Sequence, residues 1–337
     1  THSFTEAAVT VLVCHCLSRE CALQTLSPLT DVTLDLPDRR VGKVRVSYAL
    51  PNNQRLFVTT DRLSAFDHIV AAIPHKGQVL NQLAAWWFDQ TRDIINNHVV
   101  SIPDPNATIA LAATPLPVEV IVRGVMAGST NTSLWKLYEQ GKREIYGYTF
   151  DNGIAKNTLL KHAIVTPTTK GDAGNHDEPL SCDDVVSRGL VDATTWNAVC
   201  DTALKLFARG QAVAKQAGLL LADTKYEFGL DQQGKLLIID EMHTPDSSRY
   251  WELSTLEQRI ADGEEPESLD KEPIRLALAS AGYRGDGEPP KLDDQVIAAT
   301  TLRYITAFER LTGASFSPGS YPVQPRLVRA LQKAQVL

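Results

Sequence analysis

The chain has 337 residues, 43% hydrophobic and 22% charged, with a formal net charge of −7. This is the composition of a globular protein with one large or two medium domains. The acidic balance argues against a general nucleic-acid binder, but local basic groups can still hold an anionic small molecule. No run approaches the roughly 20 apolar residues that a membrane span requires.

The apolar patch 7–13 follows Glu6, has no basic flank and runs into Cys14-His15-Cys16, so it is not read as a signal peptide. Five cysteines are an odd number, which favours a reducing compartment, hence the cytoplasm, over a disulfide framework. Cys14, Cys16 and Cys21 match no common zinc spacing. Alternation over 41–48 predicts a strand that turns at 51–54 and returns over 55–60. It sets Lys43, Arg45 and Ser47 on one face and Val44, Val46 and Tyr48 on the other. Residues 81–97 predict a helix with Leu83, Trp86, Trp87, Ile94 and Ile95 on its apolar side.

Residues 117–123 read as a strand feeding the loop 124–128, with Ser129, Thr130 and Asn131 placed to cap a helix through Tyr138. The Pro-, Gly- and charge-rich stretch 166–179 predicts a loop, and 195–217 a long helix stopped by Gly218. Residues 219–229 and 235–241 predict a hairpin across 231–234. The acidic, broken stretch 254–294 reads as loop with short helix, and 296–311 as a terminal helix stopped by Gly313. Antiparallel hairpins with helices beside them indicate an α+β fold. Neither GxGxxG nor GxxxxGK[ST] occurs, so neither a Rossmann nor a P-loop nucleotide site is indicated.

The chemistry concentrates in the second hairpin. In ADTKYEF (222–228), Asp223, Lys225 and Glu227 fall on one strand face. With a turn at 231–234, Leu230 opposes Lys235 and Asp240 comes opposite Lys225; a slip of one residue would undo this. Charged alternation is more often a solvated face carrying weak ion pairs. Here the aliphatic runs 219–221 and 236–239 argue for a central hairpin. Carboxylates at Glu227 and Asp240 on neighbouring strands are what a divalent cation bridging ATP phosphates needs, namely hard oxygen ligands. A lysine beside them would hold a phosphate or a carboxylate. Arg123, two glycines and Ser129 before a helix form a suitable cradle for a phosphate monoester, although a capped helix after a Gly turn is an equal reading.

In order, GKVR (42–45), TTDRLSAFD (59–67), IPHKGQVLNQ (73–82), VEVIVRGVMAGS (118–129), TPTTK (166–170), HDE (176–178), ADTKYEFG (222–229) and IIDEMHTPDSSRYW (238–251) resemble the phosphoribosylaminoimidazole-succinocarboxamide synthase, or SAICAR synthetase, family. SLDKEPIR (268–275) is a weaker trailing match, and the likeness spans roughly residues 24–315. The resemblance implies an antiparallel N-terminal lobe over the nucleotide and an ATP-grasp-type α+β lobe. In this chain those lobes correspond to residues 37–122 and 123–337, after an extension over 1–36.

The implied reaction joins L-aspartate to carboxyaminoimidazole ribonucleotide (CAIR) with ATP and Mg2+. It gives the succinocarboxamide (SAICAR), ADP and phosphate through an acyl phosphate, in purine biosynthesis. Carried over by motif, Gly42, Lys43, Val44 and Arg45 form the ATP-covering loop. Glu227 and Asp240 resemble the metal ligands. Arg123, Ser129 and Arg249 resemble the residues that hold the ribonucleotide phosphate. Asp177, Asp223 and Lys225 fall where the family contacts ribose, imidazole and carboxylate, and Ser64, Asp67, Asp246, Ser247 and Ser248 line the same cleft. Lys225, Asp223, Glu227 and Asp240 are thus the expected catalytic set.

Two departures stand out: Val46 occupies a position where the family usually has an acid, and AGSTNTSLWKLY (127–138) replaces a shorter segment. From the residues alone, a small-molecule kinase or a catalytically silent nucleotide-binding regulator remains open. The intact Lys225, Glu227 and Asp240 disfavour the regulator. The sequence leaves the oligomeric state open.

Overall fold

The structure is a computed structural model that describes residues 26–66, 68–170, 178–285 and 287–337. The patch 7–13, Cys14, Cys16, Cys21, Asp67 and Asp177 lie outside the described residues.

Strands β1 (Arg40–Val41) and β2 (Arg45–Leu50) form a hairpin around Gly42-Lys43-Val44, so the single strand expected over 41–48 is broken at the GKV turn. The turn is closed by the Gly42 amide, which donates to the Arg45 carbonyl at 2.8 Å. β3 (Gln54–Thr59) returns beside β2, and β4 (Arg62–Ala65) with β5 (His68–Ala72) makes a separate hairpin. Helix α1 (Lys76–Gln90) then begins before the expected position 81, and Ile94 and Ile95 lie past its end. Its first turns bury the polar Lys76, Gln78 and Asn81, which apolar periodicity does not mark. β6 (Val99–Asp104) and β7 (Ala107–Leu111) complete an antiparallel sheet in the order β1-β2-β3-β7-β6.

The second sheet begins with β8 (Thr114–Pro115) and β9 (Val118–Val125). Helix α2 (Leu134–Glu139) has Ser133 as its N-terminal boundary residue rather than Ser129, Thr130 or Asn131, because the chain spends those residues in a turn. β10 (Glu144–Ile145) and β11 (Tyr148–Thr149) pair, and β12 (Leu159–Thr169) follows. β12 thus takes the first residues of the expected loop 166–179. Thr166, Pro167, Thr168 and Thr169 pair with Ile121, Val120, Glu119 and Val118, which a proline tolerates at an edge.

Helix α3 (Cys182–Ser187) carries a capping box between Ser181 and Asp184. Helix α4 (Ala193–Gln216) is capped by Asp192 and stops before Gly218, whose φ of 73° releases the chain into β13 (Leu219–Leu230). β14 (Leu236–Ile239) and β15 (Ser248–Glu252) both pair with β13, which also touches β8 and β9, so β13 is central. Helices α5 (Leu253–Ala261) and α6 (Glu272–Ser280) occupy the stretch expected to be mostly loop. α7 (Asp294–Thr312) ends at Gly313 as expected, and α8 (Val323–Lys333) closes the chain.

The main core lies between α4 and the second sheet, where Leu206, Phe207 and Ala203 meet Val120, Val122, Tyr226 and Phe228. The first sheet has its own core: Val46, Tyr48, Leu56, Val58 and Ile109 pack on Leu327 and Leu331 of α8 and on Leu29 and Val32. Val46 is fully buried there, so an acid at this position would lie unpaired in an apolar core.

Candidate active site

The β13–β14 turn decides where Asp240 goes. The Asp231 carboxylate accepts from the amides of Gln233 at 2.9 Å and Lys235 at 2.8 Å, and the Asp231 amide donates to the Lys235 carbonyl at 3.0 Å. Lys235 is thereby drawn into the turn, and the ladder starts at Leu230↔Leu236 and runs to Glu227↔Ile239. The expected pairing of Leu230 with Lys235 is therefore displaced by one residue, and Asp240 does not oppose Lys225. Asp240 lies beyond the strand at φ 66°, a left-handed turn. Its carboxylate meets the guanidinium of Arg45 on β2, which also donates to Glu241 Oε2 at 3.0 Å.

Glu227 and Lys225 remain on the face expected for them. Lys225 Nζ donates to Glu227 Oε1 at 2.9 Å and to Glu119 Oε1 at 2.7 Å, and Lys170 Nζ donates to Glu227 Oε2 at 2.5 Å. Burial works against the Lys225 charge, but Glu227, Glu119 and Asp240 outweigh it and hold the ammonium well above its usual range. Burial likewise opposes ionisation of Glu227, yet Lys225 and Lys170 bring its carboxyl down to about 2. Arg45, Glu227, Asp240 and Lys170 line one cavity of about 420 Å3 between the first sheet, α1 and the β13–β14 end. Phe57, Ala84, Phe88, Pro115 and Ile239 add apolar surface to the same lining. A cavity that combines charged groups with apolar surface suits a nucleoside polyphosphate. Gly42, Lys43 and Val44 form the adjoining turn: Thr60 donates to the Val44 carbonyl through its amide at 2.9 Å and its hydroxyl at 2.8 Å, and Arg62 donates to the Gly42 carbonyl at 2.8 Å.

A second basic corner forms where β9, β13 and β15 meet. Arg249 donates to Asp223 Oδ2 at 2.5 Å, Arg123 approaches the same oxygen at 3.5 Å, and Arg123 Nε donates to Thr166 Oγ1 at 2.9 Å. Ser129 Oγ donates to Glu272 Oε1 at 2.6 Å, and Arg249 lies 3.6 Å from Glu272 Oε2. Arg123, Ser129, Asp223 and Arg249 are thus brought together. Gly128, at φ 107°, closes this corner, since a Cβ there would run into Ser133 and come within 3.3 Å of the Arg249 guanidinium.

The loop after Asp240 joins the two halves. His243, fully buried, shares a 2.5 Å hydrogen bond with Tyr226 Oη, and its ring stands edge-on to Trp87. Burial holds this imidazole down at about 3, hence neutral. Asp246 accepts from Lys76 Nζ at 2.8 Å and from Tyr304 Oη at 2.7 Å. The Ser247 hydroxyl pairs with Thr244, the Ser247 carbonyl accepts from the Lys225 amide at 2.9 Å, and the Ser248 hydroxyl lies 2.8 Å from that of Thr224. Ser64 sits on β4 facing away from Leu63 and Ala65, which pack on α6.

Glu119, Lys170, Lys76, Tyr304 and Glu272 were not assigned from sequence. Glu119 shares a strand face with Arg123, a period-two signal that could have found it. Lys76, Lys170 and Glu272 lie within IPHKGQVLNQ, TPTTK and SLDKEPIR but have no local pattern.

Two antiparallel-rich sheets meeting over a charged cavity define an α+β protein with a site suited to a nucleotide. A family model described as SAICAR synthetase matches residues 39–290. Phosphoribosylaminoimidazole-succinocarboxamide synthase of Legionella pneumophila (strain Paris) is 44% identical over 311 residues, covering 90% of this chain and 98% of that protein. A putative synthase 2 of Mesorhizobium japonicum is 45% identical, covering 84% and 91%. The SAICAR synthase of Saccharomyces cerevisiae, solved with SAICAR, superimposes with a TM-score of 0.73 at 30% identity, covering 86% and 99%. The chain belongs to the SAICAR synthetase family.

Proposed function

We propose that this protein is the ligase that joins L-aspartate to CAIR, consuming ATP and yielding SAICAR, ADP and phosphate. The observation that carries the reading is a band of charged groups that follows β13 from one pocket to a second. It runs from a polyphosphate-sized cavity at Arg45, Lys170 and Glu227 to a basic corner at Arg123 and Arg249, with Lys225 and Asp223 on the strand between them. An ADP complex of another family member supports nucleotide use.

In this reading the CAIR carboxylate oxygen attacks the γ-phosphorus of ATP, the bond to the β-phosphate oxygen breaks, and ADP leaves. The aspartate amine then attacks the acyl carbon, the carbon–oxygen bond to phosphate breaks, and the amine loses its proton. No side chain need become covalently bound; alignment of three anions and charge neutralisation suffice. Lys225 holds the reacting carboxylate, Asp223 the imidazole side, and Arg123, Ser129 and Arg249 the ribonucleotide phosphate. Gly42, Lys43, Val44 and Arg45 cover ATP. Asp177, Asp67 and Ser64 complete the substrate half, with Asp246, Ser247 and Ser248 shaping its loop.

Glu227 and Asp240 are the residues suited to hold Mg2+. Both offer hard oxygens to the same cavity, and among the described residues no group of three or more His, Cys, Asp or Glu side chains converges. Two carboxylates leave the other octahedral positions for phosphate and water, which is how magnesium is usually bound. The ion would neutralise phosphate charge as the γ-phosphoryl moves. Residues 37–122 with α8 packed on them form the nucleotide-covering lobe of this reading. The odd cysteine number supports a reducing, cytoplasmic setting; among the described residues, no helix is long and apolar enough to cross a membrane.

With ATP and magnesium, purified protein should release phosphate only when CAIR and aspartate are both present. A stable phosphorylated product without aspartate would mark a kinase, and no turnover a regulator. Arg249→Met is expected to raise KM for CAIR about 30-fold, the loss of one charge-assisted phosphate contact, with KM for ATP nearly unchanged. Parallel rises in both KM values would refute that assignment.

A further inference from the structure

The family match ends at residue 290, before α7 and α8, yet the segment beyond it reaches into the site. Asp246, in the loop that joins the two halves of the cleft, has a side chain only 4% exposed, and its partner Lys76 is fully buried. Its two carboxylate oxygens are held from opposite elements: Oδ2 by Lys76 of α1 and Oδ1 by the Tyr304 hydroxyl of α7. Tyr304 also packs with Val79 and Leu80 of α1, so its ring and its hydroxyl fix the same junction.

Farther along, the Tyr321 hydroxyl donates to Asp61 Oδ2 at 2.8 Å and accepts from the His75 amide at 2.6 Å. Asp61, fully buried, also accepts from the Gly77 amide at 2.9 Å and the Leu29 amide at 2.8 Å. Lys76 therefore sits between two residues whose amides are tied to the Tyr321–Asp61 pair. Gln78 adds a further tie: its Nε2 donates to the Ser317 carbonyl at 2.7 Å, and its Oε1 accepts from the Gly319 amide at 2.8 Å.

We propose that Tyr304 and Tyr321 are positioning residues for the ligase reaction: the first holds Asp246 directly, and the second fixes the start of α1 so that Lys76 holds Asp246 from the other side. The C-terminal segment thereby sets the loop 240–247, which leads into Arg249 on β15 at the basic corner and whose Ser247 carbonyl accepts from the Lys225 amide. The inference rests on the ligase reading of the cleft. A hydroxyl removed from either tyrosine leaves the ring in its packing but frees the loop to shift, and displacement of about 1 Å at a reacting group can cost about 100-fold in rate.

The test is Tyr304→Phe and Tyr321→Phe, singly and together. We expect kcat/KM for CAIR and for aspartate to fall about 10- to 100-fold, with KM for ATP within about twofold; the melting temperature should fall modestly at Tyr321, where the His75 amide loses its acceptor, with the protein still folded. The double variant should lose less than the product of the single losses, since both act through the Lys76–Asp246 pair. Amide hydrogen exchange in loop 240–247 should rise in each variant. Wild-type kinetics in both variants, or a lower melting temperature without the kinetic split, overturns the proposal. If the wild-type protein fails to turn over, the ligase reading falls. Hydrogen exchange then decides the positioning by itself: faster exchange in the loop upholds it, and unchanged exchange ends it.

Discussion

Glu227→Gln is expected to lower kcat by about 10²- to 10³-fold, with the protein still folded. Glutamine keeps the size of the side chain and one acceptor but removes the charge on which Lys170 Nζ, at 2.5 Å, and Lys225 Nζ, at 2.9 Å, converge. With its carboxyl held at about 2, Glu227 is ionised throughout the neutral range. By linkage, a carboxyl lowered from the ordinary 4.5 stabilises the fold above that value, and the contribution is lost only as pH falls toward about 2. Activity losses between pH 5 and 7 are expected to arise from other groups. Asp240→Asn is expected to act in the same direction, since it removes the charge facing Arg45. Steady-state rates paired with a melting curve check both. Near wild-type rates in the two variants would remove Glu227 and Asp240 from the metal role.

Gly77→Ala is expected to destabilise the protein by about 3 kcal/mol. A Cβ at this position would collide with the Thr59 carbonyl oxygen and lie 2.7 Å from Asn106 Nδ2 and 2.9 Å from the Thr60 carbonyl carbon. None of these neighbours can step aside cheaply. Two are backbone, and Asn106 Nδ2 already donates to the Thr59 carbonyl at 3.0 Å. The glycine in IPHKGQVLNQ thus reflects the direct seating of the first turn of α1 on the end of β3, in a helix where alanine would otherwise be preferred. Urea denaturation should show a lower midpoint with an unchanged slope; an unaltered midpoint would mean that α1 can shift outward at little cost.

The second hairpin shows how far the sequence could be read. The alternation of Asp223, Lys225 and Glu227 placed all three on one face, as found, because strand pleating is a local property of the backbone. The register was a different matter. The side chain of Asp231 captures the Lys235 amide, lengthens the turn and moves Asp240 past the end of the strand. A turn of four residues and one of five look alike in composition, and the choice reverses which face a residue meets. Helix α1 shows the same limit. Its start is marked by Lys76, Gln78 and Asn81, polar residues buried by partners distant in sequence, so the apolar pattern began too late. Lys170 lay at the end of TPTTK with no local reason to single it out; its partner Glu227 is 57 residues away.

By itself the sequence determined the α+β class, the long helix ended at Gly218 and the helix ended by Gly313. It also determined the strand face carrying Lys225 and Glu227 and, through its ordered motifs, membership of the SAICAR synthetase family. Each of these follows from caps, periodicity or segments short enough to be recognised within one stretch of chain. Only the tertiary structure decided that Asp240 turns to Arg45 and that Glu119 and Lys170 flank the central pair. It also decided that α8 packs on the first sheet and that Tyr304 and Tyr321 reach the Lys76–Asp246 junction. Those pairings join residues far apart in the chain. They are settled by which buried charges find partners once two sheets close on one cleft, since a buried charge left alone costs more than local preference can supply.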